Sequence, residues 1–130
     1  MLIPGTSLIV GGGKTGDLYV LNTANLGKYN AQDSQVVQKL HISASELRGG
    51  PVYWQRSAAN GGPLLYDWGV SDRLRAYRFY GSKLASTPSA AGAETNQSFP
   101  GGVLTLSAHG EAAASGILWA TTATGGSRGP

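Results

Sequence analysis

Hydrophobic positions along this chain gather in short runs: Leu8-Ile9-Val10, Leu18-Tyr19-Val20-Leu21, Leu64-Leu65-Tyr66 and Ile117-Leu118-Trp119, each set apart by glycine-rich or polar stretches. The runs are rich in β-branched and aromatic residues and lack helical spacing, which is the mark of strands. This pattern predicts strands over 6–12, 17–22 and 35–42, then 50–55, 63–69, 73–80 and 83–88, and finally 102–108 and 116–122. Alanine, serine and glycine dominate 85–98, a stretch expected to be a loop. Twenty glycines and six prolines in 130 residues favour many short strands over long helices.

The first turn raises a question of chemistry, because GGGKTGDLYVL (11–21) resembles a phosphate cradle. A Walker loop needs a glycine five places before Gly13, where the chain has Leu8. The dinucleotide fingerprint is matched by Gly11, Gly13 and Gly16, but its mechanism requires a helix starting at the third glycine to receive the pyrophosphate. The third glycine instead leads into the strand-like run Asp17-Leu18-Tyr19-Val20-Leu21-Asn22. The stretch therefore reads as a β-hairpin without a nucleotide.

Laying the chain over itself exposes repeats. Residues 8–21 fall on 64–77 without a gap at an offset of 56, so that the apolar triplets coincide, Gly13 meets Gly69 and Leu18 meets Leu74. A second overlay places 49–54 on 101–106 at an offset of 52 and 64–66 on 117–119 at 53. These periods are close to the roughly 40 to 50 residues of one four-stranded propeller blade. The expected fold is all-β: a partial β-propeller forming one segment over 1–130, with blade pieces at about 6–42, 50–90 and 101–124. That is two to two and a half four-stranded antiparallel blades, fewer than the four or so that close a ring.

The runs LIVGGGKTGDLYVLNTANLGKYN and YDWGVSDRLRAYRFYGSKL resemble the G-x-x-x-G-x-L-Y-x-L-[DN]-x-x-x-x-G pattern of quinoprotein (pyrroloquinoline quinone, PQQ) dehydrogenase-like β-propellers, and GGPVYW, GGPLLYDW and PGGVLTLSAHG are similar to their connecting strands. The resemblance implies a propeller-repeat scaffold and a periplasmic or secreted setting. The tryptophan that closes each repeat in that family has no counterpart after Gly27 or Gly81, and no motif matches the family's calcium and quinone ligands. It thus implies a non-enzymatic segment with a structural or binding role, partnered by the remaining blades of a larger propeller or by other copies of itself. No catalytic, cofactor-binding or metal-ligating residue is assigned. The alternative is a fragment of a PQQ-dependent oxidoreductase, for which PQQ and calcium would be the cofactors.

Charge and candidate chemistry change this picture little. The net charge of +3 rests mainly on Arg73, Arg75, Arg78 and scattered lysines, too dispersed for a nucleic-acid surface. No cysteine is present, which excludes disulfides and thiolate metal sites. The stretch MLIPGTSLIVGGG has no basic n-region and is broken by Pro4-Gly5, so it reads as neither a signal peptide nor a membrane anchor. His41 and His109 stand apart from any carboxylate at ligand spacing. Asp17, Asp33, Glu46, Asp67, Asp72, Glu94 and Glu111 form no close motif, with Asp17 and Asp72 expected to bond their own backbone at turns. No G-x-S-x-G elbow occurs. Asn96-Gln97-Ser98 fits a glycosylation sequon, and Trp54, Trp68, Tyr53, Tyr66 and Tyr77 are read as cross-strand packing before ligand contact.

Overall fold

Period-two burial organises the first hairpin: Leu8, Val10, Leu18 and Val20 are buried, while Ile9, Tyr19 and Leu21 between them are half-exposed. A computed structural model describes residues 1–96 and 99–122. It is all-β, with a lone 3-10 turn at Ala58–Asn60 and no α-helix among the described residues. Strands β1 (Leu8–Gly12), β2 (Asp17–Asn22) and β3 (Gln38–His41) form the first antiparallel sheet. Strands β4 (Val52–Trp54), β5 (Leu64–Asp67), β6 (Arg73–Tyr80), β7 (Lys83–Leu84) and β8 (Ala90–Thr95) form the second. A third pairs β9 (Val103–Ser107) with β10 (Ile117–Thr121).

The internal repeat survives residue by residue in the pairing. Adding 56 to both partners of Leu8↔Asn22, Ile9↔Leu21 and Val10↔Val20 gives Leu64↔Arg78, Leu65↔Tyr77 and Tyr66↔Ala76, which are the pairs observed. The second overlay needs one correction. A uniform offset of 53 carries Trp54↔Leu64, Tyr53↔Leu65 and Val52↔Tyr66 onto Ser107↔Ile117, Leu106↔Leu118 and Thr105↔Trp119. The offset of 52 for 49–54 is therefore off by one residue. The difference is physical, because a one-residue slip turns every side chain to the opposite face.

Two further differences concern edges. Residues 85–98 do not all loop out, since Ala90–Thr95 pairs with β6. Conversely, the strand expected over 83–88 is only Lys83–Leu84, and the chain leaves the edge around Pro88, which has no N–H to give a ladder. Ala85 and Ser89 still donate to Arg78 and Ala76 on either side of that excursion, so β7 and β8 act as one interrupted strand along β6. Gln97 and Ser98, like 123 and 124 at the end of the last blade piece, lie outside the described residues. At the other edge, Met1–Ile3 pairs with β1: the Ile3 amide donates to the Leu8 carbonyl and the Val10 amide to the Met1 carbonyl, both at 2.8 Å. These residues take beside β1 the place that β4 takes beside β5.

The sheets stack face to face. Leu8, Val10, Leu18 and Val20 meet Leu65, Tyr77, Phe79 and Leu84 in one core, joined by Ile3 and Leu47. Gln38 clamps the two sheets, donating to the Leu84 carbonyl at 2.9 Å and accepting from its amide at 2.7 Å. The opposite face of the second sheet turns to the third, where Tyr66, Leu74, Ala76 and Leu118 line a cavity of about 210 Å³.

Here two tryptophans act as anchors. A Cβ built on Gly116 would lie 2.6 Å from the Trp54 ring, and one on Gly102 would lie 2.3 Å from that of Trp68. The Trp54 indole also donates to the Gly110 carbonyl at 3.0 Å. Glycine at 102 and 116 is thus a condition of this contact.

Fully enclosed Leu65 and partly covered Leu74 should respond differently to truncation. Leu65→Ala is expected to cost about 2–5 kcal/mol in urea unfolding. Leu74→Ala, beside an existing cavity, should cost less, and exposed Arg73→Ala should stay within about 0.5 kcal/mol. Equal losses for Leu74→Ala and Arg73→Ala would count against the observed register.

Candidate functional site

A cluster of polar residues lies where the first two sheets meet, around the turn 13–16, the segment 42–47 and the turn 69–72. The first turn is a tight hairpin: the Gly13 amide donates to the Asp17 carbonyl at 3.1 Å and the Gly16 amide to the Gly13 carbonyl at 3.3 Å. The amides of Ile42 and Ser43 both donate to the Gly16 carbonyl. Gly16 has a φ of 77°, and a Cβ there would fall on the Ser43 carbonyl oxygen. Its glycines thus serve the turn, and two of the donors a phosphate cradle would need are consumed within the hairpin.

Antiparallel register places Asp17 opposite His41 and Tyr19 opposite Lys39. The Asp17 carboxylate accepts from the Thr15 hydroxyl at 2.8 Å and lies 3.0 Å from His41 Nδ1 and 3.2 Å from Lys39 Nζ. The Thr15 and His41 hydrogen bonds hold it below the usual carboxylate range. Lys39 also lies 5.5 Å from the centre of the Tyr19 ring. The sequence spacing of 24 residues hides this histidine–carboxylate pair, and strand pairing is the only signal that finds it.

Beside it, Asp72 pairs with Arg75, which also donates to the Ile42 carbonyl at 3.0 Å. Burial pushes the Asp72 carboxyl up, but hydrogen bonds from Arg75 and Ser43 outweigh it and leave the group below its ordinary value. The Trp68 indole donates to the Asp72 carbonyl at 2.7 Å. An open cleft of about 330 Å³ runs between these groups, lined by His41, Ser43, Ser45, Ser71, Asp72 and Arg75.

Behind Arg75, directly across the ladder, lies Asp67, 4% exposed. Burial, reinforced by the Asp72 charge and opposed by Arg75, raises its carboxyl to about 7. A carboxyl held half-neutral near physiological pH next to a cleft is a recognised mark of functional sites and equally of structural charge networks.

The arrangement could orient a polar ligand, with the His41 side chain tethered to Asp17 through Nδ1 and otherwise largely exposed. Among the described residues no hydrogen bond joins His41 to the serine hydroxyls of the cleft, so a Ser–His–Asp relay is not assembled. No group of three or more His, Cys, Asp or Glu side chains that could hold a metal ion occurs among the described residues.

The other singled-out residues are scattered. His109 and Glu94 are exposed, Glu46 pairs with Arg48, and Asp33 sits in an exposed turn at a φ of 52°. The Glu111 carbonyl accepts from the Asn60 side chain at 2.8 Å. Asp72 accepts its neighbour's amide at the turn as expected, whereas Asp17 is engaged by side chains instead. Tyr53 packs edge-on to Phe79, Tyr77 is in the core and Tyr66 lines the cavity toward the third sheet, so the five aromatics do not make one surface. Asn96 of the sequon is 1% exposed, which shields it from modification in the folded chain.

No family model, curated protein or solved structure matches this chain.

Titration of ATP or NAD against the purified chain is expected to give no saturable signal, and a micromolar Kd abolished by Lys14→Ala would overturn the hairpin reading. Asp67 yields a pH test. Because its folded value lies above its unfolded one, its contribution to stability is full below about pH 4 and is lost as pH rises through about 7. Asp67→Asn should therefore gain on wild type by about 2–3 kcal/mol between pH 5 and pH 8, read from urea midpoints. A constant difference across that range would show that Asp67 does not titrate there.

Proposed function

We propose that this chain is a non-enzymatic β-propeller segment, about two to two and a half blades long, that serves a structural or binding role within a larger ring. One observation carries the reading: strand pairing repeats at offsets of 56 and 53, so that three successive sheets present equivalent residues on equivalent faces. Blades of a propeller stack in this way, each burying both faces against its neighbours. The second sheet, enclosed on both sides, stands for a complete blade of β4, β5, β6 and the interrupted β7/β8 edge. The first supplies Met1–Ile3 with β1 to β3, and the third only its two inner strands.

On this reading the cleft at His41, Ser43, Ser71 and Arg75 is a rim site between two blades, where connecting turns converge. Binding would reside there, since turns rather than strand faces carry the exposed polar groups. A polar ligand suits its serine hydroxyls and its Asp72–Arg75 pair.

Hydrogen exchange on the isolated monomer tests the proposal. Amides of β5 and β6, covered on both faces, should be protected to the global limit, and those of β9 and β10 should exchange at least about a hundredfold faster. A monomer whose β9 and β10 amides are protected as strongly as those of β5 and β6 would show that the chain closes its own core, and the segment reading would fall.

A further inference from the structure

The repeat assigns each sheet two unlike faces, and burial along the stack shows what each face meets. One face carries Leu8 and Val10 in the first sheet, Leu64 and Tyr66 in the second, Ile117 and Trp119 in the third. It is closed where a following sheet covers it: Leu8 is 7% exposed and Val10 1%. Leu64 and Tyr66 are half-buried against the incomplete third sheet. Ile117 and Trp119, with no described element over them, are 54% and 56% exposed, and Val103 beside them is 60% exposed.

The other face runs the opposite way. Leu65 and Tyr77 are 0% and 2% exposed because the preceding sheet covers them. Their equivalents in the first sheet, Ile9 and Leu21, sit directly opposite each other and are only half-buried. Among the described residues, one face of each kind therefore stays open. The kind borne by Ile117 and Trp119 is the kind that, twice within this chain, is met by the kind borne by Ile9 and Leu21.

We propose that these two open faces form one head-to-tail interface between copies of this chain, with β9–β10 of one copy covering β1–β2 of the next. The inference rests on the stacked-blade reading above. The chain's own stacking supports this pairing over like-on-like association, since at both of its sheet interfaces a face of one kind meets a face of the other. The third sheet's open face presents Val103, Thr105, Ser107, Ile117, Trp119 and Thr121 and carries no charge. The first sheet's open face carries Asp17, Lys39 and His41 as an ion-paired border along β2 and β3, which the third sheet's face does not reproduce, so the two open faces are unlike. Because the faces differ, the contact is heterologous, so copies continue until the rotation closes a ring or an open filament grows.

Sedimentation of the full chain and two face variants tests this. Ile117→Asp/Trp119→Asp blocks one end and Ile9→Asp/Leu21→Asp the other, with aspartate at both so that the blocked faces repel. Wild type should associate beyond a dimer with rising concentration. Each variant alone should be monomeric, and an equimolar mixture should give a species of twice the monomer mass and nothing larger, through its one pair of intact faces. Should the second variant lose its fold by circular dichroism, Ile9→Ser/Leu21→Ser takes its place.

A mixture that stays monomeric, or an Ile117→Asp/Trp119→Asp variant that associates like wild type, would overturn the head-to-tail contact. Exchange in a monomeric wild type separates the two ideas: rapidly exchanging β9–β10 amides would sink self-assembly alone, leaving blades of another chain to cover them. Protected β9–β10 amides in that monomer would sink the segment reading as well.

Discussion

Burial of a β-sheet on both faces is the constraint on which the rest of this structure depends. Most small antiparallel sheets give one face to the core and the other to water, and their sequences alternate accordingly. The second sheet cannot: Leu65, Tyr77 and Phe79 fill one side while Tyr66, Leu74 and Ala76 fill the other. β4 (VYW) and most of β5 (LLYD) accordingly read as apolar runs, while β6 interleaves Arg73, Arg75 and Arg78 with its apolar residues, and a neighbour is needed on each side. The chain supplies both neighbours from the same pattern, which is why register has to be kept at every repeat. A slip of one residue in any hairpin would turn a core face into a solvent face.

Such stacking also needs close approach at the sheet ends, and the two interfaces achieve it differently. Between the first and second sheets, polar ties do the fixing: Gln38 on Leu84, Arg75 on the Ile42 carbonyl, and the Val70 amide on the Glu46 carbonyl at 2.9 Å. Between the second and third, Trp54 and Trp68 press onto the bare backbones of Gly116 and Gly102. A large ring on a glycine gives broad contact at little entropic cost to the side chains, since a tryptophan has two rotatable bonds and glycine none.

Hairpins were legible in the sequence because their signals are local. Apolar triplets flanked by glycine, recurring at a fixed offset, suffice to place β1, β2, β5 and β6. Strands made of Ala90, Ala91, Gly92 and Ala93 were not, because small residues carry no strand preference of their own and pair only when a neighbouring edge such as β6 offers a ladder. Met1–Ile3 escaped for a similar reason, being too short to show any period. The misplaced offset over 49–54 followed the glycine pair Gly49-Gly50, whereas the face of Trp54 is what decides the register. Of the polar site, the turn glycines could be read directly. The Asp17–His41 pair could not, because it arises from strand pairing between residues 24 positions apart in the chain.

Comparing equivalent positions shows what distinguishes one interface from another in a stack whose apolar faces are otherwise alike. Gly11 and Tyr19, opposite each other in the first sheet, become Asp67 and Arg75 in the second. Those two charges lie at the edge of a buried face, and burying them costs stability unless each finds partners. Arg75 finds Asp72 and the Ile42 carbonyl, groups that only the first sheet and the second turn bring together. A different sheet laid over that face would leave the guanidinium short of one acceptor, the Ile42 carbonyl. Apolar contact provides the adhesion between sheets, then, and the Asp67–Arg75–Asp72 cluster restricts which sheet can occupy that side. The uncharged face of Val103, Ile117 and Trp119 has no such restriction, so its choice of neighbour rests on shape and on the absence of opposing charge.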